Sequence, residues 1–357
     1  MLPLFAVSVA AFACSKKSEK PTESIRAAET ASASTKTPPP PPKKRDGYAL
    51  LASFPIHGRL DRLSADGAQL RIEETATDDP AADATGVSIY DRSGKQVSQH
   101  ALAANVLAAS FDGAVQLLPS AGDSVDRLDV ASGARSKLKS STLSHGEQYG
   151  ALAISDDGKL VAGLEGVFEL DTGKPVCPLE PMFAGGSDPG FMFVRGSRFL
   201  YVANSRAAFL VDLSKCAPKK PAGAIAVPIA IPVAFDVSSD GSVILGMPGH
   251  PFATPYDDSF HISNEKGDEL RKLPLTIPEG TEKSDQPFSG GLTSKGDLAL
   301  VVTLGKLHVF TTSDGKEAHV ESIADLFPNA GEALTLQGAD DAVVIASRKR
   351  VAILALR

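Results

Sequence analysis

Short apolar runs recur along this chain, and clusters of Gly, Asp and Ser separate them. The runs are too short for helices and read as strands, with the polar clusters as turns. One example is Gly150-Ala151-Leu152-Ala153-Ile154, then Ser155-Asp156-Asp157-Gly158, then Leu160-Val161-Ala162-Gly163-Leu164. The Ser-x-Asp-Gly turn also appears at Ser64-Ala65-Asp66-Gly67, Ser110-Phe111-Asp112-Gly113 and Ser238-Ser239-Asp240-Gly241, and more loosely at Thr293-Ser294-Lys295-Gly296. An Asp-Gly pair between apolar runs suits a two-residue type I′ hairpin, which needs positive φ at both central positions. The Ser hydroxyl is suited to bonding backbone groups of the turn.

A second turn follows most of these, where an apolar strand ends in a polar residue and then Gly. Examples are Ile89-Tyr90-Asp91-Arg92-Ser93-Gly94, Leu128-Asp129-Val130-Ala131-Ser132-Gly133, Phe168-Glu169-Leu170-Asp171-Thr172-Gly173 and Val309-Phe310-Thr311-Thr312-Ser313-Asp314-Gly315. Two hairpins per period of roughly 45 residues make a four-stranded unit, the repeat of a β-propeller. Two periods are degenerate. In one, Arg195-Gly196-Ser197 replaces the tetrapeptide between Phe191-Met192-Phe193-Val194 and Phe199-Leu200-Tyr201-Val202; the last period supplies three strands only. Tyr48 to Ile56 lies ahead of the first repeat without a partner and is expected to complete the last blade. Closure of that kind removes exposed sheet edges. Seven blades over residues 47–357 are expected, with six or eight as the other counts that the pattern allows.

Those hairpins and their spacing resemble bacterial WD40-like seven-bladed propellers, although the chain has no Trp and no Gly-His signature. The resemblance implies a scaffold that more often binds proteins or ligands than performs chemistry.

Residues 1–13 are uncharged and mostly apolar and end in Ala10-Ala11-Phe12-Ala13, directly before Cys14. The run is too short to span a bilayer and has the form of a signal peptide. With the Cys it resembles the lipobox of bacterial lipoproteins, which implies that Cys14 carries a lipid and anchors the chain at the cell envelope, outside the cytoplasm. Two departures are the lack of Lys or Arg at the start and Ala at position 11, and an ordinary cleaved signal is the other reading. Residues 14–46 then form a linker too polar for a core of its own. Pro38 to Pro42 stiffen its end as polyproline II, about 3.1 Å per residue.

The linker holds eight Lys/Arg against four Asp/Glu, so in a chain of net charge −7 the rest is strongly acidic. That argues against nucleic acid as a partner and suits a linker beside anionic headgroups. Beyond Cys14, Cys177 and Cys216 form an even pair in an exported setting. They fall near the outer strands of successive blades and are either bonded or two free thiols.

The apparent chemical motifs mostly dissolve into the repeat. Asp236-Val237-Ser238-Ser239-Asp240-Gly241 imitates the start of a calcium loop but has Met247 where a bidentate Glu belongs. Asp171-Thr172-Gly173 imitates an aspartic-protease triplet, yet it lacks a second copy and aligns with turn residues Asp91, Asp129 and Asp212. Gly185-Gly186-Ser187-Asp188-Pro189 lacks the last Gly of a nucleophile elbow. Asp188, Asp285 and Glu332 lie near the starts of inner strands and are the candidate ligands for a cation in the channel. An insertion at 247–258 carries Phe252 and Tyr256, the candidate partner contacts, because long loops on rigid scaffolds are where binding concentrates.

The expectation is a membrane-anchored, non-catalytic protein-interaction or assembly platform without a cofactor. The alternatives are a lactonase-like propeller hydrolase with a channel metal and a propeller that binds a small ligand or glycan.

Overall fold

The computed structural model describes residues 47–356, except 78–81, 122–123, 139–151, 165, 180–189, 204–207, 218–223, 228–231, 249–258, 274–288, 304 and 329–333. These residues form seven antiparallel four-stranded sheets. The first strands of the sheets are Gly58–Leu63, Ala108–Ala109, Ala153–Ile154, Gly190–Val194, Pro232–Val237, Ser289–Leu292 and Thr335–Gly338; the second, third and fourth contact one another in succession, as do the fifth, sixth, seventh and first, and together they line the channel. We number the blades 1 to 7 in that order. The degenerate fourth period is a complete blade.

Blade 7 takes its outermost strand from the other end of the chain. Leu50–Pro55 pairs antiparallel with Arg350–Ala355, Phe54 opposite Val351 and Pro55 opposite Arg350. The expected ring closure is therefore present, and the backbone N–H of Tyr48 adds a 2.7 Å bond to the Glu321 carboxylate of blade 6.

Alternation along each strand sends apolar side chains to both faces of a blade, and each face packs on a neighbour. The buried side chains accordingly form seven separate clusters, one per seam between blades. Burial at these seams is the main stabilising term, at about 25 cal/mol per Å² of apolar surface removed from water.

The turns differ from the expected type I′. In Ser64–Gly67 only Gly67 has positive φ, at 65°, and the Gly67 N–H donates back to the Ser64 carbonyl at 2.8 Å. This is a type I-like turn with a left-handed Gly, because the Asp carboxylate holds its backbone on the right-handed side. Ser64 Oγ donates to Asp66 Oδ1 at 2.6 Å and accepts from the Gln69 N–H at 2.9 Å. Blades 2, 3 and 5 repeat both bonds, with Ser110–Asp112, Ser155–Asp157 and Ser238–Asp240 all at 2.7 Å. In blade 6, Thr293 takes the Ser role and finds its carboxylate at Asp297 instead.

A second correction concerns Asp171. Glu169 holds the position equivalent to Asp129, closing its turn through the Lys174 carbonyl, while Asp171 is exposed and accepts from Arg127 of blade 2. The protease-like triplet is a solvent-facing turn with an inter-blade ion pair.

Candidate functional site: the channel mouth

All the first turns of the blades lie at one end of the channel, since each follows an inner strand running the same way. In blade 4 that turn is Arg195-Gly196-Ser197, and all three residues are left-handed, with φ of 48°, 68° and 71°. Two non-glycine residues held there cost free energy, on the order of 1 kcal/mol each. The contacts of the turn explain why the conformation persists.

Arg195 reaches across the mouth. Its Nε donates to Asp236 Oδ1 at 3.2 Å and to the Val237 carbonyl at 2.9 Å; Nη2 donates to Asp236 Oδ2 at 2.7 Å and to the Leu292 carbonyl at 2.6 Å. Nη1 donates to the Gly338 carbonyl at 3.0 Å. One guanidinium thus ties blade 4 to blades 5, 6 and 7. Ser197 Oγ accepts the Asp156 N–H of blade 3 at 2.8 Å, and a Cβ on Gly196 would lie 2.5 Å from the Ala65 Cβ of blade 1. Only Gly fits there.

Asp236 is as fully engaged as its partner, for it also accepts the N–H groups of Val237 and Leu292, both at 2.8 Å. Both side chains of this pair are 7% exposed. A buried pair of this kind gives specificity more than net stability, but removing one partner strands the other charge.

A second network stands between blades 1, 2 and 3. Arg62 bonds Asp61 and Asp156, each at 2.8 Å, and lies 5.8 Å from the Phe111 ring centroid. Arg71 pairs with Asp61 at 2.9 Å and donates to the carbonyls of Ser110 and Phe111. The two carboxylates respond in opposite directions. Burial pushes the Asp156 carboxyl above its ordinary value, only partly offset by Arg62. Burial acts the same way on Asp61, but Arg62 and Arg71 outweigh it and hold that carboxyl below its ordinary value.

The sequence around Asp236 imitates a calcium loop, a reading that Met247 argues against, and the geometry agrees. The Asp236 carboxylate faces Arg195, whereas Asp240 accepts from Ser238 and Ser242 in its own turn, so the two do not converge on a cation. A signal for this pair did exist. Two residues before the turn Ser or Thr, blades 2, 3 and 6 carry Ala108, Ala153 and Gly291, whereas blades 1 and 5 carry Arg62 and Asp236. Charges at a channel-facing position that is otherwise small mark partners inside the channel.

Cys177, in the outermost strand of blade 3, is bonded to Cys216, just past the short 3₁₀ helix Leu213–Lys215 of blade 4, with Cα atoms 5.3 Å apart. Cys14, Asp188, Phe252, Tyr256, Asp285 and Glu332 lie outside the described residues. Among the described residues no group of three or more His, Cys, Asp or Glu side chains is placed to hold a metal ion.

A Thr–His–Glu series in blade 6, with Thr303 and His308 buried and Glu317 exposed, is the nearest approach to a catalytic arrangement among the described residues. Thr303 Oγ1 and His308 Nε2 are 2.9 Å apart, and His308 Nδ1 lies 2.6 Å from Glu317. The hydroxyl belongs to a buried Thr, and blade 5 repeats the His–Glu half with His261 and Glu269 at 2.6 Å. These bonds satisfy polar groups within a blade.

The folded chain is a seven-bladed β-propeller. Among solved structures it is similar to the β-propeller domain of Cps50 (Swd1) from Myceliophteria thermophila, with a TM-score of 0.51 and 10% identity, over 87% of this chain and all of that one. No family model matches the chain, and no curated protein matches it. Likeness at this identity concerns the fold alone.

Proposed function

We propose that the chain is a partner-binding platform without chemistry of its own, held outside the cytoplasm at a bacterial envelope membrane by a lipid on Cys14. The observation that carries the non-catalytic reading is the state of the channel-mouth carboxylates. Asp61 and Asp156 belong to one network at the channel mouth and Asp236 to another, and each is already paired with an arginine. Charges neutralised in this way are poor ligands for a metal or substrate. The anchor rests on Ala10-Ala11-Phe12-Ala13-Cys14 and on the polar linker that follows.

Three measurements test the reading. Capture from envelope extracts, with the full chain and with a variant lacking residues 247–258, should return a reproducible partner; capture at background level would count against a platform. A stoichiometric divalent cation in the purified protein, lost on substituting Asp188, Asp285 or Glu332, would favour the hydrolase instead. Mass spectrometry of the mature N-terminus should find an acylated Cys14, and cleavage elsewhere removes the anchor.

A further inference from the structure

Six charges run in one alternating row along blade 1 to the channel mouth. Arg59 lies 2.7 Å from Glu73, Glu73 3.3 Å from Arg71, Arg71 2.9 Å from Asp61, Asp61 2.8 Å from Arg62, and Arg62 2.8 Å from Asp156. Blade 1 supplies the first five, three arginines against two carboxylates, and blade 3 supplies the last. The row is balanced only because Asp156 reaches it from another blade. Blade 2 stands between blades 1 and 3, so the bond from Arg62 Nε to Asp156 Oδ1 is a strut across its inner end, with the guanidinium 5.8 Å from the centre of the Phe111 ring. The backbone N–H of Asp156 is held separately, by Ser197 of blade 4. The carboxyl can therefore change its charge while its backbone stays in place.

We propose that Arg62 is a proton-operated latch across the channel mouth: protonation of Asp156 passes the guanidinium wholly to Asp61 and frees blade 3 from blade 1. The two carboxylates that share Arg62 are unequally held. Asp61 Oδ2 sits between two guanidiniums, Arg62 at 2.8 Å and Arg71 at 2.9 Å, whereas among the described residues Arg62 is the one side chain bonded to the Asp156 carboxylate. Asp156 is thus the partner that gives up its charge first. Burial pushes its carboxyl above the ordinary value; Arg62 and Arg71 favour its ionised form, and the like charge of Asp61 opposes it. In its own turn, Asp157 is taken up by Ser155 and Lys159. Breaking a buried pair is costly when a charge is left behind, and here none is: Arg62 keeps Asp61 on its own strand, and protonated Asp156 is neutral. The sign follows from the raised folded value. The folded chain takes up this proton at a pH where the unfolded chain is still charged, so falling pH favours the folded, unlatched ring through that value. The latch goes beyond the platform reading and does not depend on it.

The chain has no Trp, so Phe111→Trp in the full chain places a single fluorophore beside Arg62. Its emission should change as pH falls, with a midpoint above the 3.8 of an ordinary aspartate. Phe111→Trp/Asp156→Asn should lose the titration and hold the acid emission at every pH. Phe111→Trp/Asp61→Asn should move the midpoint down, because Asp156 then loses a like charge and Arg62 its other carboxylate. Nuclear magnetic resonance of the unaltered chain gives the same answer if Phe111→Trp fails to fold. The carbon-13 carboxyl signal of Asp156, identified by its loss in Asp156→Asn, and the Nε–H signal of Arg62, identified by its loss in Arg62→Lys, should shift with one common midpoint. A titration that persists with Asp156→Asn overturns the proposal, as does an Asp156 signal that titrates at or below 3.8. So does a midpoint that Asp61→Asn leaves unmoved or raises. An Asp156 signal that titrates while the Arg62 signal stays fixed would show a proton taken up without release of the strut, and would also overturn it.

Discussion

Between blades 6 and 7 thirteen buried side chains interlock, among them Leu300, Val302, Ile345 and Leu354, whereas between blades 1 and 2 the described residues contribute only Val87, Ile89 and Phe111. The thin seam is crossed by polar groups instead. Arg71 donates to carbonyls of Ser110 and Phe111, and the fully buried Gln116 donates to the Ala101 carbonyl and accepts the Ala103 N–H, both at 2.8 Å. An apolar seam tolerates repacking, because dispersion and burial have no direction. A polar seam is directional, and losing one partner leaves the other unsatisfied. The blades thus share a strand pattern and differ in how each is held to the next.

The largest expected effect probes a polar tie that lies outside both seams and joins blade 4 to blades 5, 6 and 7. Arg195→Met should destabilise by about 3–5 kcal/mol, because Asp236 stays buried and charged. Urea denaturation checks this, and the double variant Arg195→Met/Asp236→Leu should lose less than the single one. No such recovery would mean that the backbone bonds of Arg195 matter more than the ion pair.

On the apolar side, Leu300→Ala should cost about 2–5 kcal/mol by the same measurement, set by the cavity it leaves in the 6–7 seam. Reduction of Cys177–Cys216 should cost about 2–4 kcal/mol, since the bond closes a long loop, with 39 residues of sequence separation, in the unfolded chain. Native-state hydrogen exchange compares the two seams directly. Amides of Val87 and Ile89 should exchange roughly tenfold or more faster than those of Val343 and Ile345, as thin seams open locally at lower cost. Equal protection would show that the polar ties hold as well as the apolar ones.

The smallest effect is on pH. Asp66, Asp91, Asp129 and Asp240 lie below their ordinary values, chiefly through hydrogen bonds from Ser side chains and turn N–H groups, and Asp314 is lowered to about 2 by bonds from Thr311 and Lys316. Each contributes stability that is present above the unfolded value near 3.8 and is lost as pH falls through the folded one. Melting temperature should therefore be flat above about pH 5 and fall progressively from about pH 4 toward 2. Asp156, shifted the other way, opposes this trend in part.

Blade number and closure were legible in the sequence because strands and turns are local, and Tyr48–Ile56 was a strand without a neighbour. The turn type was misread, since Asp-Gly serves several hairpin geometries and the choice depends on the Ser–Asp bond. Arg195 stood out as a break in the repeat, but its acceptors lie 41 to 143 residues away in sequence. No local pattern encodes those partners.

The closing strand has one more implication. Any mechanical load arriving through the residues ahead of Gly47 enters the ring at the outermost strand of blade 7, where it meets the Tyr48–Glu321 bond before the ladder against Arg350–Ala355. A tethered ring of this design would yield first at that strand, and pulling on the tether would open blade 7 while the inner strands remained paired.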